Sequence, residues 1–334
     1  MSGWQAGLKA DPTEWLLGED DPAVRRATLV GLLGRPEDDP DVAEARRRLM
    51  AEGPVARILA RQNAGGYWGK PESFYLSAKY RGTVWSLLLL AELGADGADP
   101  RVRAACEFML QHSQDLLSGG FAIREGPEGG GEHASVSPCL TGNMAWALSR
   151  LGLGEDPRVQ HAVEWIATYQ RFDDGESRAP KDWPYQTDMC WGRHSCTNGV
   201  VKGLKALAEV PPGRRSPAVR RTIEQGAEYL LRHHLYKRSH DLSQVAKGEW
   251  LRFGFPLMWR TDALEMAGIL VRLGYRDERL RDAVGLILAK QGGQGRWLLE
   301  ESWNGRMLVT VERAGEPSKG VTLQVLQVLR AFQS

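Results

Sequence analysis

A surplus of either charge is the first thing this sequence lacks. Lys and Arg total 43 and Asp and Glu 42, a formal net charge of +1. No global field therefore draws nucleic acid or an anionic membrane surface, and any anion recognition has to be local. Long apolar runs are missing too. The most apolar stretch, around Val84–Leu90, falls far below the ~18 residues that suggest a membrane span. The opening MSGWQAGLKADPTEW has no basic segment leading into an apolar one, so the expectation is a cytoplasmic chain without a transmembrane segment. Cysteine is scarce, with only Cys106, Cys139, Cys190 and Cys196 in 334 residues, and in that compartment these are thiols or metal ligands rather than disulfides. No period-2 alternation is strong enough to predict a sheet.

What is present is a repeat. DPAV at 21, DPDV at 39, DPRV at 99, DPRV at 156, SPAV at 216 and DERL at 277 each read as a helix start. Asp or Ser accepts hydrogen bonds from first-turn amides, and Pro at the first helical position loses none. From position 39 onward these starts are 57 to 61 residues apart, the period of a repeated supersecondary unit. A second helix precedes most starts and ends on a glycine-type stop: TVWSLLLLAELG, NMAWALSRLG, VVKGLKALAE and ALEMAGILVRLG. A third piece follows, a Gln leading into a glycine-rich turn with an aromatic: QNAGGYWG at 62, QHSQDLLSGGF at 111, QRFDDGES at 170 and QGGQGRW at 291. The prediction is an all-α chain of about six helical hairpins forming a single domain over 1–334.

Helical hairpins at this spacing with Gln…Gly…Trp turns resemble the squalene/oxidosqualene cyclase and protein prenyltransferase β-subunit superfamily, and look closest to small bacterial squalene-cyclase-like proteins. The resemblance implies a closed α/α toroid, with an inner ring of helices around a cavity. An open helical solenoid that only binds partners is the alternative.

Superposing the stops at Gly94, Gly152, Glu209 and Gly274 and counting back 13 residues makes Arg81, Cys139, Cys196 and Thr261 equivalent. In the family these begin inner helices, so Cys139 and Cys196 are expected on the same rung of neighbouring helices. Cys190 and His194 lie in the loop entering the second of them. Three thiolates and an imidazole suit tetrahedral Zn²⁺, helix N-termini favour the thiolate, and His133 is a substitute nitrogen ligand. Inert buried thiols and a cysteine nucleophile with His194 as its base are the competing readings. Cys106, within RAACEFML, reads as a core residue. Prenyltransferase β-subunits place Asp-x-Cys-aromatic at an inner helix start, and Asp188-Met189-Cys190-Trp191 resembles it, which makes Asp188 a ligand and catalytic candidate. The family's later His is missing, with Arg260 in that region, and the Asp-x-Asp-Asp acid of class II cyclases is absent. Asp173-Asp174 reads as a solvated loop pair. A lanthionine-cyclase-like zinc toroid lacks its Cys-His-Gly segment.

Other inner-helix starts carry cations: Lys79 and Arg81, Arg260, and Lys319. Together with helix N-termini these read as an anion site. Asp262 and Glu265 share a helix face, and one of them, if buried without full pairing, would serve as a general acid. An ion pair with Arg260 or Arg252 is the alternative. Trp191 and Trp259 would line an apolar cavity. The function expected from all this is a zinc-dependent prenyltransferase-like or cyclase-like enzyme on a small hydrophobic, isoprenoid-like or amphipathic anionic substrate, with no nucleic-acid partner. A non-catalytic toroid binding a lipid or a partner, with a structural zinc, is the alternative.

Overall fold

The computed structural model describes residues 7–185 and 188–333, with the side chains of 188 and 189 outside that description. The chain is mostly helical: α1 (Thr13–Leu16), α2 (Pro22–Ala27), α3 (Pro40–Ala51), α4 (Gly53–Leu59), α5 (Thr83–Glu92), α6 (Pro100–His112) and α7 (Pro138–Leu148). It continues through α8 (Pro157–Tyr169), α9 (Asp188–Trp191), α10 (Thr197–Leu207), α11 (Pro217–Arg232), α12 (Ala263–Arg272), α13 (Arg281–Ala289) and α14 (Lys319–Gln333). Two short antiparallel ladders, Lys237–Arg238 with Asp241–Val245 and Trp297–Leu298 with Pro317–Ser318, are strands that the sequence pattern did not predict. No described helix is long and apolar enough to cross a membrane.

Each Asp-Pro signal starts a helix for the reason its chemistry supplies. The carboxylates of Asp21, Asp39, Asp99 and Asp156 accept first-turn amide hydrogens at α2, α3, α6 and α8, and Asp277 does so at the short 3₁₀ turn leading into α13. Ser216 Oγ does the same for the Val219 amide. The stops behave likewise. Gly94, Gly152 and Gly274 have φ of 73°, 84° and 97°, a conformation in which a Cβ is strained.

The chain divides into two compact units, residues 1–57 with 230–334, and residues 58–229. In the second unit α5, α7 and α10 are buried on nearly every side, whereas α6 and α8 bury one face and expose the other. That contrast separates an inner set of helices from an outer one. α7 lies along α10, and so closely that a Cβ on Gly142 would stand 2.4 Å from the Lys202 carbonyl carbon. In the first unit α12 packs on α14 and α2 on α3.

The glycine turns latch these layers. Gln62 Nε2 donates to the Gly66 carbonyl in its own turn and, at 2.8 Å, to the Arg101 carbonyl in the first turn of α6. Gln114 Nε2 repeats both bonds, to Gly119 and to Arg158 of α8. The latch in the second turn is thus Gln114, while Gln111 of the sequence pattern bonds Glu107. In three of the four turns the closing aromatic donates its amide to a threonine near the start of a helix: Trp68 to Thr83, Phe121 to Thr141 and Trp297 to Thr322.

Gly142→Ala should destabilise the protein by about 3 kcal/mol or more, because the added methyl meets backbone rather than a side chain that can turn away. Gly285→Ala, in exposed α13 with nothing near the new methyl, should instead gain about 0.5–1 kcal/mol. Denaturant unfolding of both variants checks the contrast.

Candidate functional site

The second unit gathers three of the four thiols. Cys139 is the second residue of α7, Cys196 caps α10, and Cys190 is the third residue of α9. With α7 and α10 side by side, Cys139 and Cys196 come within electrostatic range, and Cys190 and Cys196 share a hydrogen bond. Cys139 Sγ also meets Ser137 Oγ at 3.4 Å and the Tyr75 hydroxyl. Lys202, fully buried one and a half turns into α10, adds a positive field.

Cys139 and Cys190 hold their protons. Burial, then the neighbouring Cys196, pushes the Cys139 thiol up, against the opposing pull of Ser137, Tyr75 and Lys202. Cys190 is raised first by its hydrogen bond to Cys196 and then by burial. Cys196 sits at the N-terminus of an 11-residue helix, a position that favours a thiolate. Tyr75 is raised well above the ordinary phenol range by burial and by Cys139. Cys106 lies in the core, its thiol pushed up to about 12 by burial.

This arrangement corrects the zinc expectation. Among the described residues no group of three or more His, Cys, Asp or Glu side chains is placed to hold a metal ion. His194, the intended nitrogen ligand, is 72% exposed, with Nδ1 3.6 Å from Asp174 Oδ1. The turn at 173–175 is strapped to 193–195 through Ser195 N to Asp173 O and Gly175 N to Arg193 O, which pairs His194 with Asp174. His133, the substitute, has Nδ1 2.6 Å from Asp115 Oδ2. The thiols bond one another and nearby hydroxyls. A zinc-dependent prenyltransferase-like or cyclase-like enzyme, and a binding toroid built on a structural zinc, are both overturned by this finding. The strap also corrects the solvated reading of Asp173 and Asp174, whose side chains are only 14% and 10% exposed and pair with Arg171 and His194.

The remaining predicted residues separate. The Asp188 side chain lies outside the described residues. Asp262 is committed to structure: Oδ1 accepts the Glu265 amide at 2.8 Å and Oδ2 the Gly254 amide at 3.0 Å, which makes it the cap of α12 rather than a free acid. Glu265 is half-buried in the first turn of that helix. Arg260 lies 3.9 Å from Glu301 and 4.7 Å above the Trp303 ring, beside half-buried Trp259, in a cleft that also includes Arg252 and Thr261. Lys319 is buried and pairs with Asp20 at 2.5 Å, so its charge is already matched. Lys79 and Arg81 are exposed in the second unit. Trp191 is buried and stacks on Tyr185 at 5.3 Å.

Sequence reasoning missed Tyr75 and Lys202 at the thiols, and Asp115 with its partners. A lysine inside the apolar register of VVKGLKAL was a legible signal for the former, and D-L-L-S before two glycines signals an Asx turn. Asp115 is buried and accepts from the Leu117 and Ser118 amides, the Ser118 hydroxyl and His133. Burial pushes its carboxyl up, but these hydrogen bonds outweigh it and hold the group below the ordinary carboxylate value.

No family model matches the chain, and no curated protein does. Among solved structures it is similar to a family 76 glycoside hydrolase from a bovine Bacteroides thetaiotaomicron strain, with 15% identity and a TM-score of 0.44 over 75% of this chain and 55% of that one. The chain therefore spans about half the length of that enzyme. It is also similar to a protein from Actinoplanes, with 17% identity and a TM-score of 0.29 over 84% of this chain and 97% of that one. Neither overlap carries an argument about this chain.

Two outcomes follow from the electrostatics. Alkylation of Cys190 by iodoacetamide should accelerate only above the ordinary thiol range of about 8.5, and Cys196→Ser should move that rise to lower pH. Cys106 should stay unmodified in the native protein; peptide mass spectrometry reads all three. Asp115→Asn should cost about 1–2 kcal/mol at neutral pH. A lowered native pKa gives stability that is complete above the unfolded value of about 4 and lost as pH falls through the native one, so the deficit should shrink on acidification.

Proposed function

We propose that the chain is a thiol–disulfide exchange protein in which Cys190 and Cys196 are the exchanging pair. The observation that carries this reading is the gathering of three thiols at the starts of α7 and α10 and in α9, with Cys139 and Cys190 both interacting with Cys196.

Chemically, Cys196 as thiolate attacks one sulfur of a substrate disulfide, R–S–S–R. An S–S bond forms to Cys196, and R–S⁻ leaves and takes up a proton. Cys190, once deprotonated, attacks the Cys196 sulfur of that mixed disulfide and expels the second R–S⁻, which is protonated in turn. Two protein thiols are oxidised to one disulfide and the substrate disulfide is reduced to two thiols. Tyr75 and Ser137 hydrogen-bond Cys139 beside the pair, and Lys202 adds a positive field there. The wider architecture proposed with it is an α/α toroid of helical hairpins, supported by the recurrence of Asp-capped helices and aromatic-to-threonine latches in both units.

Treatment with 2-hydroxyethyl disulfide should give an internal disulfide joining the Cys190 and Cys196 peptides, with Cys106 still free. Cys190→Ser should accumulate a mixed disulfide on Cys196 instead. Recovery of only mixed disulfides from the wild-type protein, by intact-mass and peptide analysis, would remove the proposal.

A further inference from the structure

The first unit holds a cleft that opens to solvent, with about 330 Å³ of space between its walls. Its charged lining is balanced, Arg252 and Arg260 against Glu249 and Glu301, and Leu257 and Trp303 give it an apolar side. Arg252 and Glu301 satisfy each other at 2.5 Å. One charge of each sign is left over. Arg260 comes no nearer to Glu301 than 3.9 Å, beyond hydrogen-bond length, and its guanidinium makes no hydrogen bond among the described residues. The side chain is nevertheless held in place, with Cζ 4.7 Å above the buried Trp303 ring, and keeps 36% of its surface exposed. Glu249 is exposed in the 3₁₀ turn Gly248–Leu251 and has no ion-pair partner among the described residues. Thr261 is buried at the same cleft, and its hydroxyl donates a long bond of 3.4 Å to the Asp262 carbonyl.

A guanidinium attracts an anion, and its parallel N–H donors match the two oxygens of a carboxylate. The two glutamates of the lining oppose a second negative charge, which disfavours a phosphate dianion. Arg260 and Glu249 line one cleft without pairing with each other, so a ligand that carries both charges completes both at once. We propose that the cleft binds a zwitterion of the amino-acid class, its carboxylate on Arg260 and its ammonium on Glu249. The Thr261 hydroxyl is a further donor to the carboxylate, and Leu257 and Trp303 face the carbon chain. The site is built entirely from the first unit and does not rest on the exchange reading above.

L-Alanine, β-alanine and 4-aminobutyrate set the two charges at increasing separations. Each is titrated into the whole protein, with binding followed by the backbone amide resonances of residues 249–261 in nitrogen-15 spectra. At least one should shift them saturably and bind about tenfold more tightly than propionate, which lacks the ammonium, or propylamine, which lacks the carboxylate. Arg260→Gln should lower that zwitterion to the affinity of propylamine. Glu249→Gln, on an exposed turn where the fold does not depend on the carboxylate, should lower it to the affinity of propionate. Resonances that stay fixed with all three zwitterions, or that respond equally to propionate, overturn the proposal. A Glu249→Gln protein that binds the zwitterion as well as the wild type does the same.

Discussion

The second unit depends on how near α7 can come to α10. Backbone meets backbone at Gly142 and Lys202, a separation that only a residue without a Cβ permits. That approach sets the two N-terminal turns side by side, so that Cys139 and Cys196 face one neighbourhood although they are 57 residues apart in the chain. It also encloses Lys202, whose ammonium would be costly there without the polar groups around it. Widening the contact would separate the sulfurs and open a path for water to the lysine at the same time.

Protons and metal ions compete for the same lone pairs on sulfur. A tetrahedral zinc site needs its ligands converging and deprotonated. In this protein burial and the close approach of like groups favour the neutral thiol at Cys139 and Cys190. Ser137, Tyr75 and Lys202 work in the opposite direction at Cys139, but burial and Cys196 outweigh them. The nitrogen donor is lost for a separate reason. Once the glycine turn after α8 bonds to residues 193–195, the His194 ring packs on Gly175 and faces Asp174. One local strap thereby turns a histidine four residues from Cys190 to a different partner.

The recurring turns explain how a helical chain with modest sequence similarity between its repeats keeps a regular build. Each latching glutamine satisfies a carbonyl in the first turn of an outer helix, and each closing aromatic amide takes a threonine hydroxyl on an inner one. Buried backbone groups at these junctions are thus paired by side chains rather than by water. The packing of apolar faces supplies the energy, and these bonds set the register.

Helix positions were legible because their signals are local: Asp-Pro caps and glycine stops act within one turn, and the repeat spacing follows from them. The meeting of Cys139 with Cys196 could also be read from the superposed stops, since equal offsets on neighbouring helices lead to equal heights. The sequence by itself therefore determined where helices begin and end and which thiols share a level. Only the tertiary structure decided which groups surround those thiols, that Asp262 spends its carboxylate on capping α12 and that Lys319 is matched by Asp20. Side-chain partners depend on distances between segments far apart in the chain, and on how much water burial removes, and neither quantity is written in the order of the residues.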